Sequence, residues 1–392
     1  MRGLLIDIKE WFVEMARVFR HQFDMVCHDA GVLIFFLFLP LVYPVIYSLI
    51  YNPEVTRKLP VVVVDHDRTS MSREFTRHLD ACPGANVVGY AADINEARRL
   101  MNEKECFAIL EIPDNYMQSV GRGEQGQINM YYEMSLLLRY RTLLSAMTEL
   151  QLATGAQLRT KFTSAIGMTQ DAPSNVGVRN YFLGDTQQGF ASFILPGIVV
   201  LILQQSMLLG ICMLDGGSNE RRRRNNGYDP MQIQASPSAA CIGKALCYTA
   251  IFFPLTIFIL HFIPVMFSFP HIGAFRDYFL LILPMLLATA FLGQSMQFML
   301  SERESAFVVV VFTSVAFLFL SGLTWPRYAM NDFFRWMGNL VPATWGLEGF
   351  VRINSNGGTL AQQSTCYFWL WGLTLFFFAT AWLSTRRRVS RP

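Results

Sequence analysis

The sequence is short of charge. Only 16% of its 392 residues are Asp, Glu, Lys or Arg, against about 25% in an average soluble domain. With 52% hydrophobic residues, that deficit excludes an ordinary water-soluble globule and points to a chain that meets lipid. A net charge of +3 is too small for nucleic-acid binding, so no nucleic-acid partner is expected. The seven cysteines include no CxxC pair and no metal-ligand spacing, which removes the zinc and dithiol classes. Cys27, Cys212, Cys241 and Cys247 lie in or beside apolar runs, where cysteine serves as a small hydrophobe. No GxxxxGK[ST] occurs, so a phosphate-cradling loop of the usual ATPase kind is missing. Energy-driven work would have to draw on another polypeptide. A cleavable leader is not expected either: the first apolar run follows a charged segment and is long enough to be read as a retained signal anchor.

What is present is a set of long apolar runs and three basic clusters. The stretch NERRRRNNGYDP, residues 219–230, places Arg221, Arg222, Arg223 and Arg224 between two apolar segments. Short Lys/Arg-rich loops stay on the cytoplasmic side, so this stretch orients the chain. The expected fold class is an α-helical membrane protein with six transmembrane helices, an N-terminal amphipathic interfacial helix, and an α/β extracytoplasmic domain inserted between the first two spans. The interfacial helix takes residues 1–30, where Leu4, Ile8, Trp11, Phe12, Met15, Phe19 and Val26 recur at helical spacing. The spans take 31–51, 189–214, 238–267, 278–300, 306–323 and 366–384. Pro40 and Pro44 are expected to kink the first. Residues 215–237 form a cytoplasmic loop, 301–305 a tight turn, and 385–392 a basic cytoplasmic tail. Residues 324–365, rich in Trp and Phe and broken by Pro326 and Pro342, read as two short helices dipping into the outer interface. Both ends are then cytoplasmic, in the inner membrane of the cell.

Residues 52–188 are polar and alternate strand and helix signals. LPVVVVD (59–65), NVVGY (86–90), CFAILEIP (106–113) and QINMYY (127–132) read as strands. Thr69 or Ser70 and Asp93 read as helix caps. From residue 135 to about 166 the pattern is helical, and 169–185 reads as an extended return to the membrane.

Three constellations invite chemistry. Asp65-His66-Asp67-Arg68-Thr69 has the Asp-x-Asp-x-Thr form of an aspartyl phosphatase nucleophile, but no later acidic pair follows to hold Mg²⁺, and a strand-end turn with a helix cap accounts for it. His66 has no second histidine nearby to share a metal. Cys82 and Cys106 lie in the outer domain, where a disulfide is permitted. Gln204, Gln205, Gln294 and Gln297 lie inside spans, where amides make interhelical hydrogen bonds or face a pore. The arginine run has its own alternatives: a topological marker that binds anionic membrane lipid, or a docking point for a partner protein.

Several segments together resemble the membrane subunit of a type-2 ABC exporter, of the subgroup with a large extracytoplasmic domain. They are VVVVDHDRTSMSREFTRHLDA (61–81), FAILEIPDNYMQSVGRGEQGQINMYYE (107–133), LPGIVVLILQQSMLLG (195–210) and, most specifically, LSGLTWPRYAMNDFFRWMGNLVPATWGLEGFVRI (320–353). The resemblance implies a permease that hydrolyses nothing itself, carries no cofactor, and works with an ABC ATPase subunit that holds ATP and Mg²⁺. It implies a second permease copy or a paralogue, export of an amphipathic or drug-like substrate by alternating access, and for this subgroup a periplasmic adaptor. It places ATPase coupling on the N-terminal helix and the loop after the second span. The family's loop reads E-R-E-x-G-T-x-E; here Glu220 begins it, but Arg221 to Arg224 and Asn225-Asn226-Gly227 replace the rest. The coupling role therefore carries to Glu220 first, then to the arginines and Asp229. A membrane-anchored receptor or assembly factor, with an outer domain that binds a ligand or adaptor, is the alternative.

Overall fold

A computed structural model describes residues 2–51, 56–165 and 189–389. Contacts divide the chain into two units, Met1–Glu54 with Phe182–Pro392, and Val55–Tyr181.

The first unit opens with helix α1, Arg2–His28. Its sequence spacing creates a stripe in which Val18, Gln22 and Val26 are buried and Trp11 donates from Nε1 to Ser238 Oγ at 3.0 Å. Phe12, Val13 and Phe23 remain exposed on another face. Asp29 breaks the chain and caps helix α2, Ala30–Tyr51, by accepting from Val32 N at 3.1 Å. A π turn at Ile34–Phe38 ends two residues before Pro40. A proline ring clashes with the carbonyl four residues back, and the wider turn relieves that clash without ending the helix.

The second unit is an α/β layer built as the alternation predicts. Strand β1 is Leu59–Asp65, helix α3 Ser70–Ala81, strand β2 Ala85–Tyr90, helix α4 Ile94–Asn102, strand β3 Ala108–Ile112, helix α5 Tyr116–Gly121, strand β4 Asn129–Tyr132 and helix α6 Leu137–Ala165. Sheet order is β2-β1-β3-β4, parallel except for the antiparallel β3–β4 pair. Val61 and Val63 pack on one face with Phe75, Leu79, Leu143 and Met147, while Val62 and Val64 pack on the other with Ala97 and Cys106. This two-residue alternation separates the cysteines. Cys82 lies with the first cluster, Cys106 is buried in the second, and both thiols are free. The permitted Cys82–Cys106 disulfide is therefore not formed. The expected extended segment at 169–185 lies outside the described residues.

The first unit then resumes with α7, Phe190–Arg224, α8, Pro237–Met266, and α9, Phe275–Ser295, which tightens into a 3₁₀ turn at Met296–Met299. After a turn come α10, Ser305–Leu320, the short helices α11, Asp332–Asn339, and α12, Pro342–Asn354, and finally α13, Ser364–Val389. A second π turn, Phe258–Phe262, again ends two residues before a proline, Pro264. Helix α7 is the centre of the core. A Cβ on Gly210 would lie 2.0 Å from the Phe36 ring, which itself meets Tyr248 and Phe252 edge-on.

Among the described residues, five helices are long and apolar enough to cross a membrane: α2, α7, α8, the α9 segment Phe275–Met299, and α13 as far as Arg387. The expected span at 306–323 is shorter. Helix α10 has 16 residues because Gly322, at φ 89°, turns the chain just past Leu320. Two further boundaries move. The loop expected at 215–237 is helical up to Arg224, and the basic tail expected at 385–392 is helical through Val389.

Candidate functional site

The arginines close a helix. Arg221, Arg222, Arg223 and Arg224 form the last turn of α7, where cations oppose the negative end of the helix dipole. Asn226 and Gly227, at φ 50° and 96°, stop the helix, and Gly227 N donates to Arg222 O at 2.7 Å. The chain then turns back so that Asp229 lies under the helix end. Its carboxylate is almost fully buried and accepts from Arg221 Nε at 2.9 Å, Arg221 Nη2 at 3.2 Å, Ser218 Oγ at 2.6 Å and Met231 N at 3.0 Å. Burial pushes this carboxyl upward, but the bonds from Arg221, Ser218 and Met231 outweigh it, and its pKa falls below the ordinary aspartate value.

The turn is also fastened to α1. Ser236 donates from its backbone N and its Oγ to Glu14 Oε2 at 2.9 and 2.8 Å, and His21 Nε2 lies 2.6 Å from Met231 O. The backbone and hydroxyl bonds from Ser236 lower the Glu14 pKa. On the opposite side, Asn219 Nδ2 donates to the carbonyls of Gln297 at 3.0 Å and Leu300 at 2.6 Å, binding α7 to the end of α9. Gly216 permits this approach, since a Cβ there would sit 2.6 Å from Glu302 O. Arg303, in the same turn, pairs with Asp29 between α1 and α2. Deeper, Asp215 Oδ1 accepts from Lys244 Nζ at 3.2 Å, linking α7 to α8. A cavity of about 60 Å³ opens among these groups, with Gln22, Asp215, Asp229, Lys244, Gln294 and Gln297 on its walls.

The residues predicted from sequence thus divide. Asp229, buried, and Arg221, half-buried, are the centre of the arrangement. Glu220 points along the helix surface to Arg224, 2.5 Å away, while Arg222 bonds Gln232 and Arg223 lies 3.9 Å from Glu302. Gln294 Nε2 donates to Cys241 O at 3.2 Å, and Gln297 Nε2 to Ser384 Oγ at 2.7 Å, both as interhelical bonds. Gln204 Oε1 accepts from Ala343 N at 2.6 Å and so caps α12, but its Nε2 has no partner among the described residues. Both amide atoms of Gln205 are buried without a partner among the described residues. In the α/β unit, Asp65 accepts from Arg68 N at 2.9 Å and Ser72 Oγ at 2.7 Å, and Thr69 caps α3. Its carboxylates are spent on a strand-end turn. Glu14, His21, Asp29, Asp215, Ser218, Asn219 and Lys244 were not singled out from the sequence as site residues. Their partners are too distant in sequence for local spacing to betray them.

Apolar helices of membrane-crossing length, gathered at one end around half-buried ion pairs, define a multi-pass membrane protein. Residues 30–383 match the family model described as ABC-2 family transporter protein, and the chain belongs to that family. It is accordingly the permease component of an ABC transporter, a membrane transport subunit of a family that implies association with an ABC ATPase subunit. No curated protein matches the chain.

Proposed function

We infer that this permease exports an amphipathic or drug-like substrate by alternating access, and that the arginine end of α7 receives the thrust of the ATPase. The observation that carries the reading is the fastening just described. The turn after α7 is tied to α7 through Asp229 and to α1 through Glu14, while Asn219 ties the end of α7 to the end of α9, and Arg303, in the turn after α9, pairs with Asp29 between α1 and α2. A displacement applied there reaches all of them together, which is what a two-state coupling element needs. Asp29, Asp215 and Lys244 extend the tie into the bundle.

Six spans are the topology that best fits the contacts of the first unit. The chain is at the arginine end at Arg303, against Asp29, and at the far end by Asn354, which bonds Ile272 and Pro270. Helix α10 is the long element between them. Its exposed Phe307, Val308, Val311, Phe312, Val315 and Phe319 suit lipid or a second permease copy. With six spans, α1 and the end of α13 lie on the cytoplasmic side of the inner membrane, and the α/β unit lies outside, available to a periplasmic adaptor.

The test is the intact transporter. The wild-type chain is expected to co-purify with an ATPase bearing a Walker motif, and Glu220→Lys to leave that complex assembled while lowering substrate-stimulated hydrolysis by about fivefold or more. Unchanged stimulation in the variant overturns the coupling assignment. Absence of any ATPase partner would favour the receptor alternative.

A further inference from the structure

Two basic clusters that are 163 positions apart in sequence, counting from Arg224 to Arg387, meet in the fold. Arg222 and Arg223 of α7 and Arg387 of α13 line one open groove of about 890 Å³. Its other wall is apolar, made by Phe298, Phe377 and Leu383. The hydroxyls of Ser295, Thr380 and Ser384 lie among them. On α13, Phe377, Thr380, Ser384 and Arg387 follow at intervals of three and four, so they share one helix face. That face grades from aromatic through hydroxyl to guanidinium as the helix leaves its apolar segment. Phe298 is 78% exposed, a large apolar ring left uncovered beside cations. Arg222 Nε is buried with no hydrogen-bond partner among the described residues, while Nη2 of the same guanidinium bonds Gln232. None of the described lining residues is a carboxylate.

We propose that this groove binds an anionic phospholipid from the leaflet at the arginine end. The phosphate sits on Arg222, Arg223 and Arg387, whose planar donors match phosphate oxygens, the ester region meets the hydroxyls, and an acyl chain lies along Phe377, Leu383 and Phe298. A free phosphate would engage the cations and leave the aromatic wall uncovered. An acidic protein segment would place its charges against that same wall. Only an amphiphile matches both halves of the gradient. The groove opens along α13, where Leu375 and Phe376 are exposed, so the acyl chain continues onto the lipid-facing surface. The bound lipid joins the ends of α7 and α13 to the turn after α9, which makes it a structural partner of the coupling end. The proposal rests on the reading that these helices span the membrane.

The experiment uses the purified full chain in neutral detergent, without ATPase, so its outcome is independent of the coupling test. Retained lipid is counted by native mass spectrometry after incubation with phosphatidylglycerol, with phosphatidylcholine, or with phosphatidylglycerol and millimolar inorganic phosphate. Phosphatidylglycerol is expected to be retained over phosphatidylcholine, and Arg222→Gln with Arg223→Gln to lower retention by roughly fivefold per arginine. Phe298→Ser is expected to lower it as well, which a purely ionic site would not show. Thermal midpoints confirm that each variant is folded, and Arg223→Gln alone serves if the pair is not. Equal retention of the two lipids, or unchanged retention in the arginine variants, overturns the proposal. Complete displacement by inorganic phosphate assigns the groove to a free anion instead.

Discussion

Asp229 takes four hydrogen bonds on two oxygens while almost fully buried, and its chemistry makes a pH prediction. A carboxylate whose folded pKa is depressed contributes stability above its unfolded value, about 3.9 for Asp and 4.3 for Glu. That contribution is lost as pH falls through the folded value. Asp229 and Glu14 are both depressed, by the bonds from Arg221, Ser218 and Met231 and from Ser236. The melting temperature of the detergent-solubilised protein should therefore hold steady from about pH 7 to 5 and fall below about pH 4. Asp229→Asn should flatten part of that fall and cost about 2 kcal/mol at neutral pH, less than a fully buried pair because Arg221 is 30% exposed. Glu220→Gln should cost about 0.5 kcal/mol or less, since its partner Arg224 is 76% exposed. Equal melting of the two variants would remove Asp229 from the centre of the site. The sequence ranks Glu220 ahead of Asp229 for coupling, because Glu220 matches the family's wording; their contributions to stability rank the other way. Burial, which decides between them, depends on contacts such as His21 with Met231, 210 positions apart.

At the scale of elements, the helices were legible and their ends were not. The strand and helix periods of the α/β unit, the two caps at Thr69 and Asp93 and the pair of short helices after α10 all follow from local pattern. The sequence reading ends the second span at residue 214 and opens a loop at 215, and Asp215-Gly216-Gly217-Ser218 does combine charge with poor helix formers. Helix α7 continues for ten residues more because tertiary contacts override propensity. Asn219 binds the carbonyls beyond α9, and Gly216 lets the backbone of Glu302 approach. Adjacent glycines then have opposite roles. Gly216→Ala forces a Cβ toward a backbone oxygen at 2.6 Å and should destabilise by about 1–3 kcal/mol. A Cβ on Gly217 meets only the mobile end of Arg221, at 3.4 Å, so Gly217→Ala should be neutral or stabilise by roughly 0.5 kcal/mol. Hydrogen exchange at 296–305 should quicken in the first variant alone. A stabilising Gly216→Ala would mean that the two segments do not bear on each other.

For the molecule as a whole, the parity of the crossings is decided by α10. Sixteen residues at about 1.5 Å each give about 24 Å, short of a hydrocarbon core of about 30 Å. A short helix can still cross by standing upright and thinning the bilayer, and the contacts on either side of α10 favour the proposed crossing. Arg303 before it is paired with Asp29 at the arginine end, while Leu360 after it donates to Asp277 Oδ2 at 3.2 Å, at the start of α9 on the far end. If α10 crosses, Asn226 and Asn356 face opposite sides of the membrane; if it does not, they share one. Single cysteines at Asn226, Asn356 and Arg122 read this directly with a membrane-impermeant maleimide on intact cells. The background needs replacement of only Cys27 and Cys82, because the other five cysteines are buried. Asn356→Cys and Arg122→Cys should react on intact cells, and Asn226→Cys only after lysis. Reaction of Asn226→Cys from outside would invert the orientation read from the arginines. Protection of both Asn226→Cys and Asn356→Cys in intact cells, with both reacting after lysis, would reduce the chain to five crossings and place its two ends on opposite sides.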